Sequence, residues 1–296
     1  MKILVTGASG FIGKNLIYYL SKTNNKIFAQ YNTQKPQFKP KNIEYIKFNL
    51  LNKSYKVLEE LKPEIIFHLA WSKIPNFSYK NSLENLNSSK LLFDKIASIK
   101  SCKKIIVAGS CFEKYKLSKN NKKEEIKHFI WAKNSLKNYL LNNCAKKKVI
   151  VGWFRFFFIY GKGQRSKSLI PTLIKHFKED INPNLNNPLN KNDFIHIEDV
   201  CSVLVKSINT EFKSGTFDVG SGKLTSIYEI SRILEKKIRK KKTFTDTYEK
   251  LTQKNLQNEK IVANNKLTKK IFNWSIKNTI SKGLNKTLND YNKNSF

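Results

Sequence analysis

The first half of the chain alternates short, almost wholly apolar runs with longer stretches in which apolar residues recur every three or four positions. A short apolar run bounded by turn residues fits a strand buried on both faces, and the three-to-four spacing is that of a helix with one buried side. Strands are predicted at Lys2–Val5, Lys26–Tyr31, Glu44–Phe48, Ile65–Leu69, Lys104–Ala108 and Val149–Arg155. Helices are predicted at Phe11–Ser21, Ser54–Leu61, Ser82–Ser98 and Phe129–Ala145. Such alternation specifies an α/β fold with a doubly wound parallel sheet. After about Gly161 the pattern loosens into a helix at Leu169–Phe177, an Asn/Pro-rich loop at Asn182–Asn192 and shorter strands and helices. The expected organisation is a first domain of residues 1–160 and a smaller C-terminal α/β lobe of residues 161–296, with about 193–220 returning to the first domain.

The first predicted strand runs into TGASGFIG, Thr6–Gly13, and then directly into an apolar helix. In this arrangement Gly7 permits a tight turn, Gly10 lets backbone approach a phosphate, and Gly13 lets helix and strand pack closely. Backbone N–H groups of the turn and of Ser9, Phe11 and Ile12 then face the positive helix end, which suits a pyrophosphate. The sheet is therefore expected to be a Rossmann sheet carrying a dinucleotide. Selection of NAD places Asp or Glu at the end of the second strand, on the ribose hydroxyls. This chain has QYNTQK at residues 30–35, with no acid. Asn32, Thr33 and Lys35 suit a 2′-phosphate, so NADP is the favoured cofactor and NAD the alternative.

The net charge of +34 first suggests nucleic acid or an anionic membrane. Only four of the 56 cations are arginines, whereas base-edge and bidentate phosphate recognition favour the arginine fork. The 34 asparagines enriched alongside lysine fit the coding bias of an AT-rich genome, with the lysines as solvated surface. No nucleic-acid partner is expected, although a positive field would attract an anionic substrate. No run of about 18 uncharged apolar residues predicts a membrane span, and glycines interrupt the apolar start, so a soluble cytoplasmic protein is expected. The four scattered cysteines, Cys102, Cys111, Cys144 and Cys201, read as ordinary thiols, without a disulfide framework or a metal site. The Lys/Asn tract Lys119–Lys123 reads as an exposed loop.

Further segments stand beside TGASGFIG: IIFHLAW (Ile65–Trp71), ENL around Asn85, VAGSCFE (Val107–Glu113), WFRFFFIYGKGQ (Trp153–Gln164), NDFIHIEDV (Asn192–Val200) and FDVGSG (Phe217–Gly222). Together they resemble the extended short-chain dehydrogenase/reductases of the NAD-dependent epimerase/dehydratase family over nearly the whole chain. GSCFE is most similar to deoxysugar 4-ketoreductases. The resemblance implies a nucleotide-sugar substrate, hydride chemistry and a role in cell-surface polysaccharide synthesis. It also implies that Ser110 orients the sugar oxygen and that Lys133 binds the nicotinamide ribose and lowers the pKa of a tyrosine four residues earlier. That position is Phe129. Other registers pair Tyr139 with Asn143, Lys133 with Lys137, or Trp131 with Ser135, and none restores Tyr-x-x-x-Lys.

By the same resemblance Asn49, Leu50, Leu69, Ala70, Trp71 and Phe156 line the cofactor. Cys111, Phe112, Phe157, Lys191 and Asn192 line the substrate. Asn49 stands where the family usually has an acid facing adenine, and Asn192 where it often has an arginine on the nucleotide phosphate, for which Lys191 or Arg165 offers a point charge. Asn85, Gly161, Asp199 and Gly220 keep structural positions; His68 and His196 read as packed histidines. Tyr115 and Tyr160 are the nearest tyrosines to the site motifs. The helices near Leu83–Ile96 and Phe129–Leu141 are similar to those that pair in family dimers, which implies a homodimer. Two functions stand at this point: an NAD(P)-dependent 4-ketoreductase, epimerase or dehydratase, and a cofactor-binding sensor or partner protein without turnover, motivated by Phe129 and Asn192.

Overall fold

Continuously apolar segments form the middle of a seven-stranded sheet, where both strand faces are covered by helices. The computed structural model describes residues 1–52, 55–115, 124–145, 147–240, 243–248 and 261–293. Its elements in chain order are β1 Lys2–Thr6, α1 Phe11–Leu20, β2 Lys26–Tyr31, β3 Ile43–Lys47, α2 Lys56–Leu61, β4 Ile65–His68, α3 Tyr79–Ala97, β5 Lys104–Ser110, α4 Glu124–Ala145 and β6 Ile150–Phe156. There follow β7 Phe158–Tyr160, α5 Leu169–Lys178, β8 Lys191–Asn192, β9 Phe194–His196, α6 Ile197–Asn209, β10 Gly215–Val219, β11 Thr225–Ser226, α7 Ile227–Arg239, α8 Lys266–Ile271 and α9 Ile280–Asn292.

The sheet order is β10-β6-β5-β4-β1-β2-β3, and β1 to β6 pair in parallel. This is the doubly wound order with its switch point beside β1, where such sheets receive ligands at the carboxyl ends of the strands. Register sets those ends together: Thr6 lies opposite His68, His68 opposite Val107, and Ser110 opposite Phe156. The packed interior includes Leu4, Phe28, Ile66, Phe93, Ile105, Leu136, Val151 and Trp153.

Helices α3 and α4 begin three and five residues before their predicted starts. For α3 the cause is a cap. The Ser78 hydroxyl accepts the Asn81 N–H, so the helix opens on polar residues ahead of the apolar periodicity that starts at Leu83. Lys104, the first residue of β5, is buried, and burial lowers its pKa. Its Nζ donates to the carbonyls of Ser207, Ile208 and Thr210 at 2.8, 2.8 and 2.9 Å, closing the end of α6 where helix carbonyls lack partners.

The chain divides into two units, Met1–Phe156 with Val203–Phe217, and Phe157–Ser202 with Asp218–Phe296. The return to the first unit thus spans 203–217, a narrower segment than the expected 193–220. In the second unit Tyr160, Leu173, Phe177, Phe194, Leu234 and Leu284 form the core. Residues 191–192, expected as the end of a loop, form β8, which pairs antiparallel with β11. Two carboxylates hold this unit's connections. Asp193 accepts the N–H groups of Ser221, Gly222 and Ala263; Asp199 accepts those of Lys277 and Asn278. Among the described residues no helix is long and apolar enough to cross a membrane. The tract Lys119–Lys123 lies outside the described residues, as does Ser54, the predicted start of the second helix.

Candidate active site

At the end of β1 the backbone turns at Gly7 with φ of +70°, and a side chain there would meet the backbone of Ala70 at 2.8 Å. A side chain on Gly13 would lie 2.1 Å from the Gly7 carbonyl oxygen. Only glycine fits both places. The result is a close-packed turn, with no Cβ at Gly7, Gly10 and Gly13, at the amino end of α1, where the first-turn amides and the helix dipole favour an anion. These residues fit a dinucleotide pyrophosphate, with Ser9, Gly10, Phe11 and Ile12 on the same turn.

Gln30, the fifth residue of β2, holds the turn from behind. Its Oε1 accepts the Gly7 N–H at 2.9 Å, its Nε2 donates to the Phe48 carbonyl at 2.6 Å, and its backbone carbonyl accepts the Ala8 N–H. Sequence reading missed it. A polar residue inside an otherwise apolar buried strand is the signal that could have found it. Gln30→Leu leaves the Gly7 N–H without its acceptor and is expected to lower stability by about 1–3 kcal/mol. Denaturant titration measures this, and unchanged stability would contradict the role. Beyond β2, Asn32, Thr33 and Lys35 are exposed. Leu50 opens a short 3-10 turn after β3, and Asn49 Oδ1 accepts the Leu51 N–H at 3.0 Å, fixing that side chain's orientation.

The end of β4 lies beside the turn. Thr6 Oγ1 and His68 Nδ1 are 2.9 Å apart, and His68 Nε2 lies 3.1 Å from Ser89 Oγ on α3. Burial drives the His68 pKa down to about 3, so the ring is neutral and structural. Leu69 donates its N–H to the Thr6 carbonyl, and Trp71 follows Ala70. The first turns of α3 grip the chain just beyond. Asn85 Oδ1 accepts the Ser72 N–H at 2.7 Å, and Asn81 Nδ2 donates to the carbonyls of Ser72 and Asn76.

Ser110 ends β5 and caps the short turn Cys111–Lys114. Its half-buried hydroxyl accepts the Phe112 N–H at 3.3 Å, leaving its own proton to be donated elsewhere. Glu113 Oε1 accepts the Ser110 N–H at 2.7 Å, a capping box whose Ser-x-x-Glu spacing is legible in GSCFE. The same buried carboxylate accepts the Trp153 indole N–H and pairs with Lys137 at 3.3 Å. Glu113 thereby fixes the serine through its backbone. Cys111 is buried and Phe112 half-buried.

Helix α4 places Phe129 and Lys133 one turn apart on one face. Phe129 is 5% exposed, and its ring meets those of Phe77 at 4.8 Å, Trp71 at 5.6 Å and Phe112 at 6.4 Å. The surroundings at this position are aromatic and carry no hydroxyl from the residue itself. Lys133 is 4% exposed; its Nζ donates to the Ala108 carbonyl at 2.8 Å and sits 3.8 Å from the Trp71 ring centre. Burial pushes its pKa down to about 7, with the Glu113 charge opposing that shift. Both protonation states are thus accessible near neutrality.

The glycine turn, Asn32, Asn49, Leu50, Leu69, Ala70, Trp71, Ser110, Cys111, Phe112, Phe129, Lys133 and Phe156 all belong to the first unit. Phe157, Lys191 and Asn192 belong to the second unit, where Phe157 is buried and the other two are half-buried. Tyr160 is a core residue of that second unit. Its hydroxyl lies 3.5 Å from the Ile280 carbonyl, and burial raises its pKa. The Tyr115 ring stacks on Phe112 at 5.5 Å.

A parallel sheet with a glycine turn at its switch point is the architecture of the dinucleotide-binding α/β proteins. The chain belongs to the NAD dependent epimerase/dehydratase family, Epimerase, whose pattern it matches over residues 3–220. It is 29% identical over 247 residues to GDP-6-deoxy-D-talose 4-dehydrogenase of Aggregatibacter actinomycetemcomitans, covering 79% of each chain. Over 262 residues it is 27% identical to dTDP-4-dehydro-6-deoxyglucose reductase of Escherichia coli, covering 81% of this chain and 82% of that one. Its fold is similar to that of the Bordetella bronchiseptica enzyme WbmF in complex with NADH. The TM-score is 0.82 at 19% identity, over 99% of this chain and 92% of that one.

Proposed function

We propose that the chain uses a nicotinamide dinucleotide to modify a nucleotide-activated sugar, by 4-keto reduction, epimerisation or dehydration, in cell-surface polysaccharide synthesis. One observation carries the reading. The glycine-rich turn Gly7–Gly13 follows β1, Ser110 ends β5, and Lys133 of α4 donates to the carbonyl of Ala108 on β5, all within one unit. Relatives that act as a nucleotide-sugar 4-dehydrogenase and a 4-dehydro-sugar reductase support the substrate class.

A nicotinamide held at this site would supply or accept the hydride. Ser110 orients the sugar oxygen through its hydroxyl, and Lys133 holds the nicotinamide ribose. Proton delivery falls to water, to the substrate or to another side chain, because residue 129 has no hydroxyl. Phe129 also favours a second reading, a cofactor-binding sensor or partner protein without turnover.

NADP is the proposed cofactor, on the exposed Asn32, Thr33 and Lys35 after an acid-free β2. Titration of the chain with NADPH and NADH is expected to give the lower dissociation constant for NADPH, and tighter NADH would overturn that choice. Turnover of a panel of nucleotide 4-ketosugars with NADPH separates the two functions. Conversion of the sugar, with NADPH consumed in a 4-keto reduction and regenerated in an epimerisation or dehydration, supports the enzyme, and saturable binding without conversion of the sugar supports the sensor.

A further inference from the structure

In a site that lacks a tyrosine hydroxyl beside its lysine, something else must hold the lysine cation. We propose that Trp71 is a positioning residue for Lys133, its indole face holding the ammonium in the orientation that the dinucleotide meets. This rests on the cofactor-site reading above. Lys133 Nζ lies 3.8 Å from the Trp71 ring centre, and the Phe129 and Trp153 rings stand at 5.8 and 5.9 Å. The Ala108 carbonyl is the ammonium's hydrogen-bond acceptor. An ammonium over a desolvated indole face is attracted by the ring quadrupole, most strongly for tryptophan.

Trp71 is itself fixed. Its ring meets the edge of Phe129 at 5.6 Å and an interplanar angle of 84°. The chain just after it is gripped by Asn85 and Asn81 of α3. The contact therefore ties the end of β4 to α4, with the Lys133 cation as the link. The titratable groups that face this cation are Glu113 and His68. Glu113 is a buried carboxylate paired with Lys137, one turn further along α4, and favours the charged lysine. His68 is held neutral by burial, so it leaves the lysine's charge to the rings and the carboxylate.

Two readouts on the full chain test the proposal. The first needs no ligand. Tryptophan emission of the wild type is expected to titrate near neutral pH, and the titration should vanish in Lys133→Met and in Trp71→Phe. A titration that survives either change contradicts the contact. The second is dinucleotide affinity. Trp71→Leu is expected to weaken binding about tenfold, whereas Trp71→Phe, which keeps a ring face, should stay close to wild type. The double variant Trp71→Leu with Lys133→Met should bind no more weakly than Lys133→Met alone, because Trp71 acts through the lysine. Independent, additive losses, or a Trp71→Leu protein that binds like wild type, would overturn the proposal. Failure of the wild type itself to bind any dinucleotide would refute the cofactor reading, while the emission titration would still decide the contact.

Discussion

Phe129→Tyr is expected to raise turnover of a nucleotide 4-ketosugar by about 100- to 10,000-fold, the usual contribution of a positioned general acid. The new hydroxyl would enter the position of α4 four residues before the buried Lys133, among the rings of Trp71, Phe77 and Phe112. A neighbouring ammonium favours the phenolate and so lowers the phenol pKa towards the working pH. The effect should appear in kcat more than in KM, because the ring and its aromatic contacts are retained. Rapid single-turnover measurements on both proteins read it directly. An unchanged rate would mean that protons reach the sugar oxygen by a route that residue 129 does not touch. If tyrosine brings turnover to a wild type that has none, the natural protein is the sensor.

Lys133→Met is expected to have opposite effects on function and on stability. Loss of the proposed ribose contact should lower kcat/KM by about 100-fold or more, in the range of charge-assisted contacts made in a dry site. Stability should instead rise by a few kcal/mol near neutral pH, because a buried ammonium is costly and methionine fills similar volume without charge. The sign follows from the pKa. The folded-state value near 7 lies below the ordinary lysine value of 10.5. The wild type therefore loses stability as pH falls from about 10.5 to about 7, where the unfolded chain binds the proton more readily. The methionine variant should lack that component of the pH dependence. Denaturant titrations at pH 7 and pH 10 check it, and a variant less stable than wild type at pH 7 would contradict a costly buried cation.

The strands were legible in the chain because a parallel sheet covered on both faces demands unbroken apolar runs, and β1, β4 and β5 supply them. The glycine turn was equally plain, since its chemistry depends on side chains that are missing. The helix starts were less so. Ser78 begins α3 through a single hydroxyl–amide bond that no apolar period announces. The division of labour inside the site was hidden for a related reason. Gln30 and Glu113 act through backbone N–H groups of Gly7 and Ser110, and only their pairing distances reveal the bonds. Lys133 and Phe129 could be placed from the family resemblance, but the indole over the ammonium depends on a contact between residues 62 positions apart, Trp71 and Lys133. The unit boundary after Phe156 was also beyond the pattern, since Phe156, Phe157 and Phe158 are alike in sequence and part company only in packing.

Binding of NADPH to the purified wild-type chain, followed by energy transfer from tryptophan to the reduced nicotinamide, tests the cofactor site most directly. Saturable binding in the micromolar range, displaced by NADP, is the expected result. An emission that does not change up to millimolar NADPH or NADH, in a chain that unfolds cooperatively and is therefore folded, would contradict it.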